Sequence, residues 1–315
     1  MPKISIIIPC YYNELNIPVT SKALIDNELN FPEDVIFEYV MVDDGSKDNT
    51  FEALETFRNA YPDKVIAIKL AKNVGSSNAV LAGMNYASGD CCAVLAADMQ
   101  DPPEIIAKLY GYWLKGFKLA LAQKTDREDS FVNRIVSNTF HNLMRKWVLP
   151  HSPKGGFDLW LFDKQLKEEV LKINEANSYI PYLFIWLGYE YVSVPYTRRK
   201  REIGKSGWTL SKKIKALIDS FVSFSFFPIR MISIVGMLLG AGAFLYGLFI
   251  LVAKLTGHIQ VEGWSAMMIT FLFVSSFQMV ALGIIGEYVW RTLDAARDRP
   301  LYIVDKMHDI ENKSL

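Results

Sequence analysis

A chain of 315 residues has room for one large domain plus additional segments. Its 34 lysines and arginines equal its 34 aspartates and glutamates, so no positive excess argues for nucleic acid as a partner. The three cysteines, two of them adjacent, form neither a disulfide framework nor a zinc-ligand spacing, which fits a reducing compartment.

No signal peptide is expected, because Met1 to Pro9 leads with a single lysine into a strand pattern and has no cleavage region. Ile4 to Ile8 reads as a buried strand ending at Pro9, followed by Tyr11, Tyr12, Asn13, Glu14 and a helical pattern. Phe37 to Val42 repeats the design and ends in Asp43, Asp44, Gly45 and Ser46, with Asp48 placed to cap a helix carrying Phe51, Leu54 and Phe57. Val65 to Leu70 is a third strand, followed by Lys72, Asn73, Val74, Gly75 and a helix over Ser76 to Ala87.

The fourth strand is Cys91 to Ala97, a short, continuous apolar run suited to burial on both faces of a parallel sheet. It stops on two carboxylates, Asp98 and Asp101. Pro102 and Pro103 end it, with Pro103 in the first turn of a helix through Ile105, Ile106 and Leu109. Leu119 to Lys124 is a fifth strand. Strands alternating with helices predict an α/β fold with right-handed crossovers and a parallel, doubly wound sheet.

Open parallel sheets bind ligands beyond the carboxyl ends of their strands, which is where Asp98 and Asp101 leave the chain. Two hard oxygen donors on a rigid turn suit Mg²⁺ or Mn²⁺ held jointly with a diphosphate, whereas the bland reading of Asp-x-x-Asp before proline is a turn or helix cap. Neither G-x-G-x-x-G nor a Walker lysine motif is present, which disfavours a dehydrogenase or P-loop enzyme. Carboxylates at the strand ends can instead accept hydrogen bonds from a ribose or a base.

Two uncharged segments, Met231 to Ala253 and Gly263 to Gly286, each exceed the roughly 20 residues needed to cross a bilayer and predict a helical hairpin. Lys212, Lys213, Lys215 and Arg230 precede the first, and Arg291, Arg297 and Arg299 follow the second, so both ends are expected in the cytoplasm. Before the hairpin, Trp208 to Phe227 places Leu210, Ile214, Leu217, Ile218, Phe221 and Phe224 at helical spacing with its lysines off that face, the pattern of an interfacial helix. Gly236, Gly240, Ala243 and Gly247 would permit close helix contact, either within the hairpin or in a homo-oligomer.

The stretches IIIPCYYNELNI, VDDGSKDNT, LAKNVGSSNAVLAGMNYASGD and AADMQDPPE resemble the successive motifs of inverting family 2 glycosyltransferases of GT-A fold. The resemblance continues through REIGKSGW, the paired apolar spans and GEYVWRTLDAARDRPLYIV, and points to the polyprenyl-phosphate glycosyltransferases, a group that includes dolichol-phosphate mannose synthase and undecaprenyl-phosphate glucosyltransferases. It implies transfer of a sugar from a nucleotide diphosphate, a UDP-hexose by expectation, to a membrane polyprenyl phosphate, undecaprenyl phosphate by expectation, for cell-envelope glycan modification in a bacterial inner membrane. A polysaccharide synthase or a non-catalytic nucleotide-binding scaffold are the alternatives, and no Q-x-x-R-W-type synthase motif is present.

By the same resemblance, Pro9, Tyr11 and Glu14 surround the base and Asp43 and Asp44 meet the uridine and ribose. Lys72 stands where the family commonly has arginine. Asp98 matches the second aspartate of D-x-D, touching metal and diphosphate with Gln100 and Asp101 beside it, while Ala96 occupies the place of the first. Arg201 and Lys205 would meet the donor diphosphate or the acceptor phosphate, with Ser206 in the same motif. The family's G-D-F-R segment supplies an aspartate base; here Gly156 stands at that position and Asp158 lies two residues on, to orient the acceptor, act as base or pair with a cation. The expected organisation is a catalytic domain over 1–203, an amphipathic segment over 204–228, two transmembrane helices over 229–290 and a cytoplasmic tail over 291–315.

Overall fold

The computed structural model describes residues 1–126, 142, 144–146, 148–153, 156–173, 175, 178–199, 219–256 and 263–310. The chain divides into two units, residues 1–220 together with 298–315, and residues 221–297.

The larger unit is built on one eight-stranded sheet. In chain order the strands are β1 (Lys3–Cys10), β2 (Ile36–Asp43), β3 (Val65–Leu70), β4 (Cys91–Val94), β5 (Leu119–Asp126), β6 (Phe157–Asp163), β7 (Tyr191–Thr197) and β8 (Val304–His308), arranged β7-β5-β6-β4-β1-β2-β3-β8. Among the described residues the helices of this unit are α1 (Ile17–Asn27), α2 (Thr50–Ala60), α3 (Ser76–Tyr86), α4 (Glu104–Trp113), α5 (Lys164–Leu171) and α6 (Ile180–Trp186).

The centre is parallel, β4-β1-β2-β3, as alternating strands and helices require. The sheet as a whole is mostly parallel, as the resemblance to the GT-A fold implies, with two antiparallel strands. β6 runs antiparallel between β4 and β5, and β8 runs antiparallel to β3. A continuous apolar run records burial on both faces but not strand direction, so the reversal at β6 leaves no periodic signal.

One face of the centre packs Ile4, Ile6, Ile8, Tyr39 and Met41 against α1, α2 and α4 through Leu24, Phe51, Leu54, Phe57, Ile106 and Leu109. On the other face α3 comes so close that a Cβ on Gly83 would lie 2.5 Å from Ile7 Cγ2. β4 is shorter than expected, ending at Val94, although Leu95 still donates to the Ile7 carbonyl (3.0 Å) before the chain turns out of the sheet.

At the end of the sheet opposite the carboxyl termini of these strands, Glu38 is fully buried. It accepts from Lys3 Nζ (2.6 Å), Ser5 Oγ (2.6 Å), Ser88 N (2.7 Å) and Ser88 Oγ (2.6 Å). Burial alone would raise its pKa, but these donors outweigh it and hold the carboxyl below its ordinary value. A lowered folded-state pKa contributes stability that is present above the ordinary glutamate pKa and lost as pH falls through the lowered one. Glu38→Gln leaves Lys3 without its counter-charge and should destabilise the chain by about 3 kcal/mol, or about 6–12 °C in melting temperature. Thermal melts at neutral and acid pH check this, since the gap between wild type and variant should narrow on acidification.

The segment after residue 298, expected as a separate tail, returns to the sheet. β8 covers the edge of β3, Ala71 N donates to the Ile303 carbonyl (2.9 Å), Asn85 Nδ2 donates to the Tyr302 hydroxyl (2.7 Å), and His308 meets Glu55 at 2.9 Å. β3 is a strongly apolar strand, VIAIKL, and an uncovered edge of that kind invites association, which explains the return.

The smaller unit contains α7 (Phe227–Leu255) and α8 (Trp264–Ala296). Phe227–Ile250 and Ala266–Ala296 have mean hydropathies of 2.0 and 2.1 and are long and apolar enough to cross a membrane. Both helices extend past the apolar runs visible in the sequence, α8 through Glu287 and Arg291, which pair one helical turn apart at 2.9 Å. The expected interfacial segment falls largely outside the described residues.

Candidate active site

Because β1, β2, β3 and β4 are parallel, their carboxyl ends open onto one crevice, and the loops that leave them are stitched together. After β1, Pro9 is half-buried, and Tyr11 and Tyr12 stand out from the surface with their rings edge to face at 4.6 Å. Tyr12 has a left-handed φ of 53°, and its N–H donates to Ser46 Oγ (3.0 Å). Asn13 N–H donates to Thr50 Oγ1 (2.8 Å), and Glu14 Oε2 accepts from Asn49 N–H (3.0 Å). The first loop is thereby clamped to the second.

At the end of β2, Asp43 Oδ1 accepts from Ser46 N–H (3.0 Å), whereas its Oδ2 is buried with no hydrogen-bond partner among the described residues. Burial raises the Asp43 pKa. Asp44 is otherwise engaged. Its carboxylate accepts from Val74 N–H (2.7 Å), Gly75 N–H (3.0 Å) and Asn73 Nδ2 (3.0 Å), so it fastens the loop after β3. Burial pushes Asp44 up to about 6, against the opposing pull of the Val74 and Gly75 bonds. Between the two loops lies Gly45, with φ 69° and space for no side chain: a Cβ there would sit 2.6 Å from the Lys72 carbonyl carbon. Lys72 itself is exposed. Asp48 does not occupy the cap position of α2, which is Asn49, but its Oδ1 accepts from Thr50 Oγ1 (2.6 Å) and Thr50 N–H (3.3 Å) in the same role.

After β4, Thr20 Oγ1 pins the Ala97 carbonyl (2.9 Å), and Asp98 emerges partly exposed, its Oδ1 accepting from Gln100 N–H (3.2 Å). The next residue, Met99, is held at φ 56°, a strained conformation for a non-glycine residue. Asp101 does not share Asp98's exposure. It is fully buried, its Oδ1 accepts from the Tyr196 hydroxyl, and Arg198 Nε lies 3.4 Å away. Burial, reinforced by the charge of Asp158, raises its pKa.

Asp158, near the start of β6, is ion-paired through Oδ2 with Lys124 of β5 and lies 3.4 Å from an Arg198 terminal nitrogen. The structure thus gathers Asp101, Arg198, Asp158 and Lys124 into one alternating chain of charge. Arg201, Lys205 and Ser206 lie outside the described residues. Among the described residues no group of three His, Cys, Asp or Glu side chains is placed to hold a metal ion.

A crevice of this build accompanies a decisive match: residues 5–171 fit the model of the family described as Glycosyl transferase family 2. The chain belongs to glycosyl transferase family 2. It is 34% identical over 312 residues to the uncharacterized glycosyltransferase YkcC of Bacillus subtilis, covering 99% of this chain and 96% of that protein. It is 30% identical over 307 residues to the SfII prophage-derived bactoprenol glucosyl transferase of Shigella flexneri, covering 97% and 98%. Among solved structures, the mannosyltransferase PcManGT from Pyrobaculum calidifontis in complex with GDP-Man and Mn²⁺ superposes with a TM-score of 0.49 at 19% identity, covering 70% of this chain and 64% of that one.

Membership in family 2 makes the chain a glycosyltransferase, and its mostly parallel mixed sheet is the GT-A-like fold that the motifs implied. Sequence reading missed Lys124, inside the matched span, and Tyr196 and Arg198, beyond its end. The signal was weak. Lys124 is one polar residue at a strand end, and Arg198 opens a run of cations, Arg198 to Arg201, in which spacing does not distinguish one member from the next.

Proposed function

We propose that this glycosyltransferase moves a hexose, with inversion, from a UDP-sugar to a polyprenyl phosphate, with undecaprenyl phosphate as the acceptor, at the cytoplasmic face of a bacterial inner membrane. The observation that carries the reading is the end-to-end similarity to a bactoprenol glucosyl transferase, which spans both the nucleotide-type crevice and the two long apolar helices. Cations flanking the hairpin fit the cytoplasmic placement.

The unpartnered buried oxygen of Asp43 fits an acceptor awaiting a donor group from a base or ribose, and the exposed Tyr11 and Tyr12 offer rings from the loop after β1. Asp44 supports the pocket by fixing the 73–75 loop rather than by contact. Asp98, an oxygen donor that reaches solvent, fits a Mg²⁺ or Mn²⁺ ion that takes its other ligands from diphosphate and water, as such ions commonly do. The enclosure of Asp101 leaves this role to Asp98. When bound, the cation would supply positive charge against the departing diphosphate.

The nucleophile is an oxygen of the acceptor phosphate, which attacks the anomeric carbon as the bond from that carbon to the diphosphate oxygen breaks on the opposite side. A phosphomonoester has its second pKa near about 6, so the acceptor is already mostly dianionic at neutral pH. What the chain must supply is positioning and charge screening, and Lys124 and Arg198 are cations suited to both. Asp158 pairs with those two cations, which supports an orienting role over that of a general base.

Purified protein incubated with undecaprenyl phosphate and a panel of radiolabelled nucleotide sugars should give lipid-linked product with a UDP-hexose; no product with any donor would overturn the reading. Asp158→Asn should cost less than the roughly hundredfold expected for loss of a true base, and its rate should still rise with the second ionisation of the acceptor. A larger loss with normal UDP and lipid binding would make Asp158 the base.

A further inference from the structure

We infer that Asp101 is a positioning residue, which from beneath the crevice holds the Arg198 guanidinium in place and through it the Asp158–Lys124 pair. The inference rests on the proposed transfer reaction. It gives Asp101 a task distinct from that of its neighbour Asp98.

Burial comes first: Asp101 has no exposed surface, and its Oδ1 faces Tyr196 and Arg198. Its partners come next. Tyr196 and Arg198 stand two residues apart across the exit of β7; the Tyr196 hydroxyl donates to Asp101 Oδ1, and Arg198 Nε lies 3.4 Å from the same oxygen as an ion pair without a hydrogen bond. The guanidinium then reaches past Asp101 to Asp158 Oδ2, which Lys124 holds from the other side. Two carboxylates and two cations therefore alternate, and a guanidinium, with donors in a fixed planar fork, transmits orientation along such a chain better than a point charge.

The backbone repeats this connection. Arg199 N–H donates to the Gln100 carbonyl (2.8 Å), and the Arg199 side chain grips both oxygens of Glu104 (3.1 and 3.2 Å). The turn that carries Asp98 and the strand end that carries Arg198 are thus held together on both sides of Asp101. Displacing one displaces the other. Such coupling acts on the rate of a reaction that depends on alignment more than on the affinity of either substrate.

The test compares Asp101→Asn, Arg198→Gln and the double variant. Asparagine keeps an oxygen for the Tyr196 hydroxyl but carries no charge for the guanidinium. UDP affinity, and the Mg²⁺ concentration at which half of that binding appears, are read by calorimetry without lipid. Both should stay within about twofold of wild type in Asp101→Asn, while kcat for sugar transfer falls about tenfold. Because the two residues act as a unit, the double variant should be no slower than Arg198→Gln.

A tenfold or larger shift in the Mg²⁺ midpoint would make Asp101 a metal ligand and overturn the inference, as would losses that multiply or an unchanged kcat. Should Asp101→Asn melt far below wild type, Arg198→Lys is set against Arg198→Gln. Lysine retains the charge but not the planar fork, so an Arg198→Lys as slow as Arg198→Gln supports the inference and a wild-type rate in Arg198→Lys overturns it. The UDP and Mg²⁺ measurements need no acceptor, so failure of the polyprenyl-phosphate reading would be seen separately, as absence of lipid-linked product from wild type.

Discussion

Asp98→Ala should lower turnover by about a thousandfold, the scale of losing one electrostatic partner at a reacting centre, while the chain folds as wild type. The side chain is partly exposed, so its removal leaves neither a cavity nor a buried charge. Its backbone is fixed independently of the carboxylate, by Thr20 on the Ala97 carbonyl at 2.9 Å and by the strained Met99 that follows. Ala96 stands at the neighbouring position where D-x-D has its first aspartate, and Asp101 is enclosed, so no second exposed carboxylate in this turn takes over. Turnover measured across a magnesium titration, with circular dichroism as the check on folding, decides the matter. A variant that keeps the wild-type rate at every magnesium concentration sinks the assignment.

Gly45→Ala should act on stability and nucleotide binding together. A non-glycine residue at φ 69° costs on the order of 1–2 kcal/mol in backbone strain alone. The added Cβ would also lie 2.6 Å from the Lys72 carbonyl carbon and 2.7 Å from Asn73 N, both backbone atoms that yield only if the loop moves. Moving it pulls Val74 and Gly75 away from the buried Asp44 carboxylate, leaving a charge without its donors. The expected total is about 3 kcal/mol or more, with UDP binding weakened about tenfold or more as the crevice wall shifts. Gly116→Ala is the control. That glycine has φ 96° with nothing within 4 Å of the added Cβ, so it should show the backbone strain without the loss of UDP affinity. Equal effects at the two positions on UDP binding would mean that the contact between the 45 and 72 loops is unimportant.

The sequence alone determined the parallel centre of the sheet, the two long apolar helices and the carboxylates at the strand ends. Each is a local property: apolar runs of strand length report burial on both faces, runs of more than 20 apolar residues report helices that can span a bilayer, and Asp43, Asp44 and Asp98 are polar residues where such runs stop. The motifs it shares with family 2 glycosyltransferases extended this to the chemistry.

What those carboxylates do individually was decided only by the tertiary structure. Asp43 and Asp44 are adjacent in sequence, yet one keeps a buried oxygen without a donor and the other spends both oxygens on the loop after β3. Asp98 and Asp101 lie three residues apart, yet one reaches solvent and the other lies under Tyr196 and Arg198. Asp158 finds Lys124 across 34 residues, and Asp101 finds Tyr196 across 95. The reversal of β6 and the return of β8 to β3 belong to the same class. Strand direction, edge pairing and the choice among neighbouring charges are settled by what arrives from elsewhere in the chain, because hydrogen bonds and ion pairs depend on distances of a few ångströms that no local spacing encodes.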